Sequence, residues 1–170
     1  ISVDGLRKAR FSEGRGSPLV RMMATDSLLS CHSEITPARP RLGEVLPLPC
    51  IGLAYIAAVL EEHGCHVRVL DMFAEKLSAE EVIDKTVRFK PDMVGMTVLT
   101  PSAPNCSILS RMIRTRLPEA KIVWGAIHAD IFGQDIVRAG DADFCIHHDG
   151  EETIVELVDA LADNEKDFSA

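Results

Sequence analysis

The apolar positions of this chain switch repeatedly between helical spacing and short continuous runs. Leu53, Ile56, Ala57 and Leu60 share one helical face, while Glu61, Glu62 and His63 lie on the water side. Pro47 and Pro49 fix φ and disfavour helix before them, so the spacing predicts a helix starting at Ile51 or Gly52. Gly64 supplies a left-handed stop. HVRVLDM follows at once and predicts a strand over 67–70. Ser78, with Glu81 three residues on, forms a capping box for a helix through Phe89, and Pro91 ends that region. MVGMTV, over 93–98, is a nearly continuous apolar run, as a strand covered on both faces should be. Thr100, Pro101 and Ser102 make a polar turn into a helix reaching about Leu117. That helix is read with Ile108, Leu109, Met112 and Ile113 inward and Arg111, Arg114 and Arg116 outward. The pattern then predicts a strand over 121–124, a loop over 125–132, a short helix ending at Gly140 and a strand over 144–146. A last helix over 151–162 carries Ile154, Leu157, Val158 and Leu161 on one face.

The amino-terminal part is less regular. Residues 1–17 are rich in Arg, Lys, Gly and Ser without a sustained period, and read as a flexible arm or as sequence left from cloning. PLVRMMAT, over 18–25, is the first strand. Residues 26–46 form a connection of a length usually reserved for function, placed at the carboxyl end of that strand. A polar tail occupies 163–170. Five strands alternating with five helices describe one α/β domain over 18–162. The expected fold is Rossmann-like or flavodoxin-like, a doubly wound five-stranded parallel sheet with helices on both faces. In such sheets ligands bind outside the carboxyl ends of the strands, near the switch in strand order. That rule selects the loops 26–52, 97–103, 125–130 and 147–151.

Composition narrows the function. The net charge of −8 argues against a nucleic-acid partner held through its phosphates. No apolar run approaches the ~20 residues of a membrane-spanning helix, and no charged-then-apolar leader opens the chain. A cytoplasmic protein with no membrane partner is expected. Five cysteines, Cys31, Cys50, Cys65, Cys106 and Cys145, are scattered without a CxxC or CxxxCxxC cluster. This argues against a disulfide framework and against an iron–sulfur or structural zinc site in this chain. Reduced cysteines acting as small hydrophobes fit the spacing. The first residue is Ile1 rather than Met, as in a fragment or a processed product.

The selected loops carry binding groups rather than a catalytic set. Thr97, Thr100 and Ser102 bracket the third strand end, where short hydroxyls either cap the next helix or bond a phosphate, an amide or a ribose. Gly125 lets a bulky ligand approach the backbone, and His128 three residues later either points into the site or faces solvent. His147, His148, Asp149, Glu151 and Glu152 crowd the end of the fifth strand. Neighbours on a strand alternate sides, so His147 and His148 should not share one metal site. The Glu151 and Glu152 pair suits the positive end of the last helix. No GxGxxG, GxxxxGK[ST] or GxSxG occurs, and no nucleophile is paired with a base. The residues read as a binding domain for a large polar ligand.

Four segments in order carry a resemblance: PLPCIGLAYIAAVLEEHGCHVRVLDM, KPDMVGMTVLTPS, PEAKIVWGAIHAD and DADFCIHHDGEETIVELVDAL. Together they resemble the cobalamin-binding domain at the amino end of cobalamin-dependent radical SAM enzymes, over about 46–161. The resemblance implies cobalamin as cofactor. It puts Gly52 and Leu53 at the edge of the corrin site and Thr97, Thr100 and Ser102 on the nucleotide tail or corrin amides. It has Gly125 and His128 line the tail's cleft, with Gly150 and Glu151 closing its far side. Two departures stand out: Ala126 replaces the second glycine of the family's Gly-Gly-x-His, and His148-Asp149 replaces Gly-Glu. Better-known cobalamin modules carry Asp-x-His-x-x-Gly after the first strand, with the histidine under cobalt. Here Asp26 is followed by Ser27, Leu28 and Leu29, and His32 does not restore the spacing. The resemblance therefore implies base-off cobalamin without a protein imidazole on cobalt, with His128 and His147 as the residues able to disprove it. In the family a radical SAM half with CxxxCxxC follows, binding a 4Fe–4S cluster and S-adenosylmethionine. Methyl transfer or tetrapyrrole ring formation would need that half in cis or in trans, so no catalysis is expected from this chain alone.

Two alternatives remain at this stage. One is a stand-alone cobalamin carrier or sensor. The other is a degenerate flavodoxin-like interaction domain without cofactor, favoured by the extra bulk at Ala126 and His148 and by the short first strand.

Overall fold

The structure, a computed structural model, describes residues 21–26 (backbone), 50–72 and 75–162. The expectations for the 1–17 arm, the start of the first strand, the connection over 27–46 and the 163–170 tail lie outside the described residues. In chain order the elements are β1 (Arg21–Asp26), α1 (Ile51–Glu62), β2 (His66–Asp71), α2 (Ala79–Phe89) and β3 (Met93–Thr97). A 3₁₀ turn (Thr100–Ser102), α3 (Ala103–Arg116), β4 (Lys121–Gly125), α4 (Ile127–Ala139), β5 (Phe144–Cys145) and α5 (Glu151–Ala162) follow.

Local chemistry explains most boundaries. Ser78 Oγ accepts the Glu81 backbone N–H at 3.2 Å, and the Glu81 carboxylate accepts the Ser78 N–H at 2.8 Å, so α2 begins with a closed capping box. Gly64 ends the turn after α1 at φ +89. Lys90 caps α2 from the left-handed region, its N–H donating to Thr86 O at 3.0 Å.

The five strands lie in the order β2-β1-β3-β4-β5, and every neighbouring pair is parallel. The parallel α/β architecture agrees with the alternating pattern. Because strand side chains alternate faces, β3 and β4 feed two cores. Val94, Met96, Ile122 and Trp124 pack with Val82 and Ile83 of α2, Leu109 and Ile113 of α3, and Ala129 and Ile136 of α4. Met93 and Val123 pack on the opposite face with Leu60 of α1 and Ile154 and Val158 of α5. Strand order reverses between β1 and β3, so the crevice rule points to their carboxyl ends. The register aligns Asp71, Asp26, Thr97 and Gly125 in one row along that rim.

Two expectations are corrected. The predicted loop over 125–132 is mostly helix: α4 starts at Ile127, directly after Ala126, so His128 stands on its first turn. On α3, Ile108 faces water at 53% exposure. Leu109 and Ile113 are buried and Met112 packs against the core as read, but Cys106 and Ser110 complete the inner face, and Ser110 is satisfied there by accepting the Trp124 indole N–H at 3.2 Å. Arg114 is half-buried rather than outward, donating to Gly140 O and pairing with Asp143 at 3.1 Å.

Candidate functional site

The carboxyl rim is stitched together by backbone. Val98 N–H donates to Gly125 O at 3.0 Å, and His128 N–H donates to Val98 O at 3.2 Å. These bonds hold the end of β3 against the start of α4. His128 is thereby brought over the 3₁₀ turn, with its Nδ1 3.3 Å from Thr100 Oγ1. Its ring lies 4.8 Å from that of Phe132 and 6.4 Å from that of Trp124, centroid to centroid. Burial in this setting lowers the imidazole pKa below its ordinary 6.5, so the ring is neutral at pH 7.

The hydroxyls divide in role. Thr100 is exposed and Thr97 half-buried, whereas Ser102 is fully buried. Ser102 Oγ accepts the Leu99 N–H at 3.2 Å and donates to Leu99 O at 3.0 Å, closing the turn from inside. Ser102 therefore shapes the loop that presents Thr100.

The glycines divide in the same way. Among the described residues, a Cβ added at Gly52 or at Gly125 would meet no heavy atom within 4 Å. Gly52 sits on the first turn of α1, while its neighbour Leu53 points into the core at 6% exposure. Gly150 is different: a Cβ there would stand 3.2 Å from Ile146 Cγ2 and Ile56 Cδ1. Its backbone presses the loop after β5 onto α1, and its carbonyl accepts the Ile154 N–H at 2.9 Å. Glu151 and Glu152 occupy the first turn of α5, where the helix dipole favours anions.

Two residues at the rim hold positive φ without being glycine. Ala126 has φ 71 and ψ −174, a region essentially restricted to glycine. His148 has φ 57. At both places the backbone keeps a shape that glycine adopts freely. Among the described residues, no group of three or more His, Cys, Asp or Glu is disposed to hold a metal ion.

Sequence reasoning missed Asp130, Phe132 and Gly133. Asp130 Oδ1 accepts the His148 N–H at 2.7 Å, and Phe132 flanks His128. Reading 125–132 as loop hid the helical spacing that puts Ala129, Gly133 and Ile136 on one buried face.

Residues 45–158 match the B12 binding domain family. An anaerobic magnesium-protoporphyrin IX monomethyl ester cyclase of Synechocystis sp. is 28% identical over 141 residues, covering 79% of this chain and 28% of that protein. A cytidylyl-2-hydroxyethylphosphonate methyltransferase of Streptomyces wedmorensis is 30% identical, covering 69% of this chain and 25% of that one. The chain thus spans about a quarter of the length of these relatives. Among solved structures, the radical S-adenosylmethionine methyltransferase TsrM from Kitasatospora setae, with cobalamin and a 4Fe–4S cluster bound, superposes with a TM-score of 0.65 at 18% identity. That match covers 84% of this chain and 24% of TsrM. The cobalamin-dependent S-adenosylmethionine radical enzyme OxsB, with aqua-cobalamin bound, gives 0.68 at 15% identity, covering 87% of this chain and 19% of OxsB. This chain belongs to the B12 binding domain family.

Proposed function

We propose that this domain holds base-off cobalamin along the carboxyl rim of a doubly wound sheet, with no imidazole of its own on cobalt. It would serve the radical SAM half of a longer methyltransferase or cyclase. The observation that carries the reading is the rim itself: Thr97 and Gly125 in register, with no heavy atom of the described residues within 4 Å of a Cβ placed at Gly52 or Gly125. Thr100 and His128 would meet the nucleotide tail, and Thr97 and Gly52 would border the corrin, while the buried Leu53 would act only by seating the first turn of α1. Gly150 and Glu151 would close the cleft, with Ser102 acting through the turn it shapes. One feature supports the absence of a lower histidine: the segment Asp26-Ser27-Leu28-Leu29 lacks the Asp-x-His spacing. Bound cobalamin would supply a cobalt-carried methyl or electron to a substrate; this chain's residues bind and orient it. A 4Fe–4S cluster and S-adenosylmethionine would belong to the catalytic half, in cis or in trans.

The test is to load the purified chain with hydroxocobalamin, desalt it and record the visible spectrum. Retention of one equivalent is expected. After reduction to cob(II)alamin, electron paramagnetic resonance should show cobalt lines without axial-nitrogen splitting. Nitrogen splitting that disappears in His128→Ala or His147→Ala would refute the ligand-free lower face. Failure to retain any corrinoid would favour the cofactor-free interaction domain.

A further inference from the structure

The two walls of the proposed cleft rise from different elements. One is the start of α4, with His128; the other is the loop from β5 to α5, with Gly150 and Glu151. A small grip on α4 joins them. Asp130 and Gly133 are three residues apart and so share one face of that helix. Asp130 Oδ1 accepts the His148 N–H at 2.7 Å and lies 3.6 Å from His147 Nδ1. Gly133 leaves room for the His147 ring: a Cβ there would stand 3.0 Å from both Cε1 and Nε2 of the imidazole and 3.3 Å from Cys145 Cβ. His147 is seated in a glycine slot with a carboxylate at its mouth. The grip matters because His148 sits at φ 57, a conformation that opposes its side chain. Accepting its N–H there stabilises the loop in that shape.

We propose that Asp130, Gly133 and His147 are positioning residues that lock the His147-to-Gly150 loop against α4 and so set the width of the cleft for the cobalamin nucleotide tail. This rests on the cobalamin reading above. None of the three needs to touch the ligand. They act through Gly150 and Glu151 on one side and His128 on the other.

Hydroxocobalamin titrations followed by visible absorbance, with thermal unfolding of the same variants, test it. Asp130→Ala should weaken binding about tenfold, the scale of one lost charge-assisted hydrogen bond. Asp130→Asn, whose amide oxygen accepts the same N–H, should recover most of that loss. Gly133→Ala should weaken binding about threefold by crowding His147. Gly133→Ala combined with His147→Ala should be less impaired than the two single effects added, since the crowded ring is gone. A general folding defect would not give that rescue. Wild-type binding with Asp130→Ala unimpaired overturns the proposal alone. Wild-type failure to bind overturns the cobalamin reading and this proposal with it. Should Asp130→Ala not fold, the Gly133 and His147 pair decides: strictly additive losses overturn the grip.

Discussion

The end of α2 and the start of α4 both place a side-chain-bearing residue at positive φ, and they do so differently. Lys90 has φ 53 and ψ 60, inside the left-handed basin, at the end of a helix that opens with a full capping box. Ala126 has φ 71 and ψ −174, outside that basin, at a helix start with no side-chain cap. The first is a mild compromise in a scaffold where cap, period and stop agree. The second is strain on the rim beside Gly125. Residues that break a local rule without an adjacent gain collect at functional edges, because the surrounding fold can over-determine their shape. The contrast teaches that this scaffold is locally consistent and that its strain sits where a ligand would approach.

The largest effect should come from the scaffold just beneath the rim. Trp124 is 1% exposed and its indole N–H satisfies the buried Ser110 hydroxyl. Trp124→Ala should cost about 3–5 kcal/mol in urea unfolding; a loss below about 1 kcal/mol would show that the packed side of the comparison is misjudged. The next effect is of opposite sign. Ala126→Gly should stabilise by about 1 kcal/mol, the relief of a glycine-only conformation less the added chain freedom. Lys90→Gly should gain only about 0.5 kcal/mol, because its basin is already allowed. Equal gains at the two sites would erase the distinction drawn between them.

How much of this was legible in the sequence follows the same division. The α2 cap could be read because both partners, Ser78 and Glu81, are local and polar. The glycine stop at Gly64 and the bounds of α5 were equally local. The start of α4 was not, because Ala126 offers no capping side chain and the buried face uses the small residues Ala129 and Gly133. Small residues give little periodic signal, and their fit depends on His147, which comes from another loop. Ile108 was misread, and Ser110 went unread, for a related reason. Polarity alone sends a serine outward, but the Trp124 indole needed an acceptor on that face. At the rim, Thr100 and His128 could be selected from their place after strands, whereas the bond closing Ser102 inward depends on turn geometry that spacing does not encode.

The smallest predicted effect tests the rim through one proton. Burial lowers the His128 pKa below 6.5, so the folded chain favours the neutral ring. Well above pH 6.5 both folded and unfolded chains hold it neutral, and the full stability is present. As pH falls below 6.5 the unfolded chain takes up the proton first, so stability is lost until the folded value is passed. The ring is only partly covered, which keeps the slope shallow. Subtracting the pH–stability curve of His128→Gln from that of the wild type isolates this slope from the other carboxylates and histidines. Imidazole proton shifts in an NMR titration should give a midpoint under 6.5 in the wild type. Phe132→Ala removes the ring that lies 4.8 Å away and opens the imidazole to water, so its midpoint should rise toward 6.5. A wild-type midpoint at or above 6.5, unmoved by Phe132→Ala, would mean that His128 already stands in solvent. The wall assigned to it on the α4 side of the cleft would then be missing.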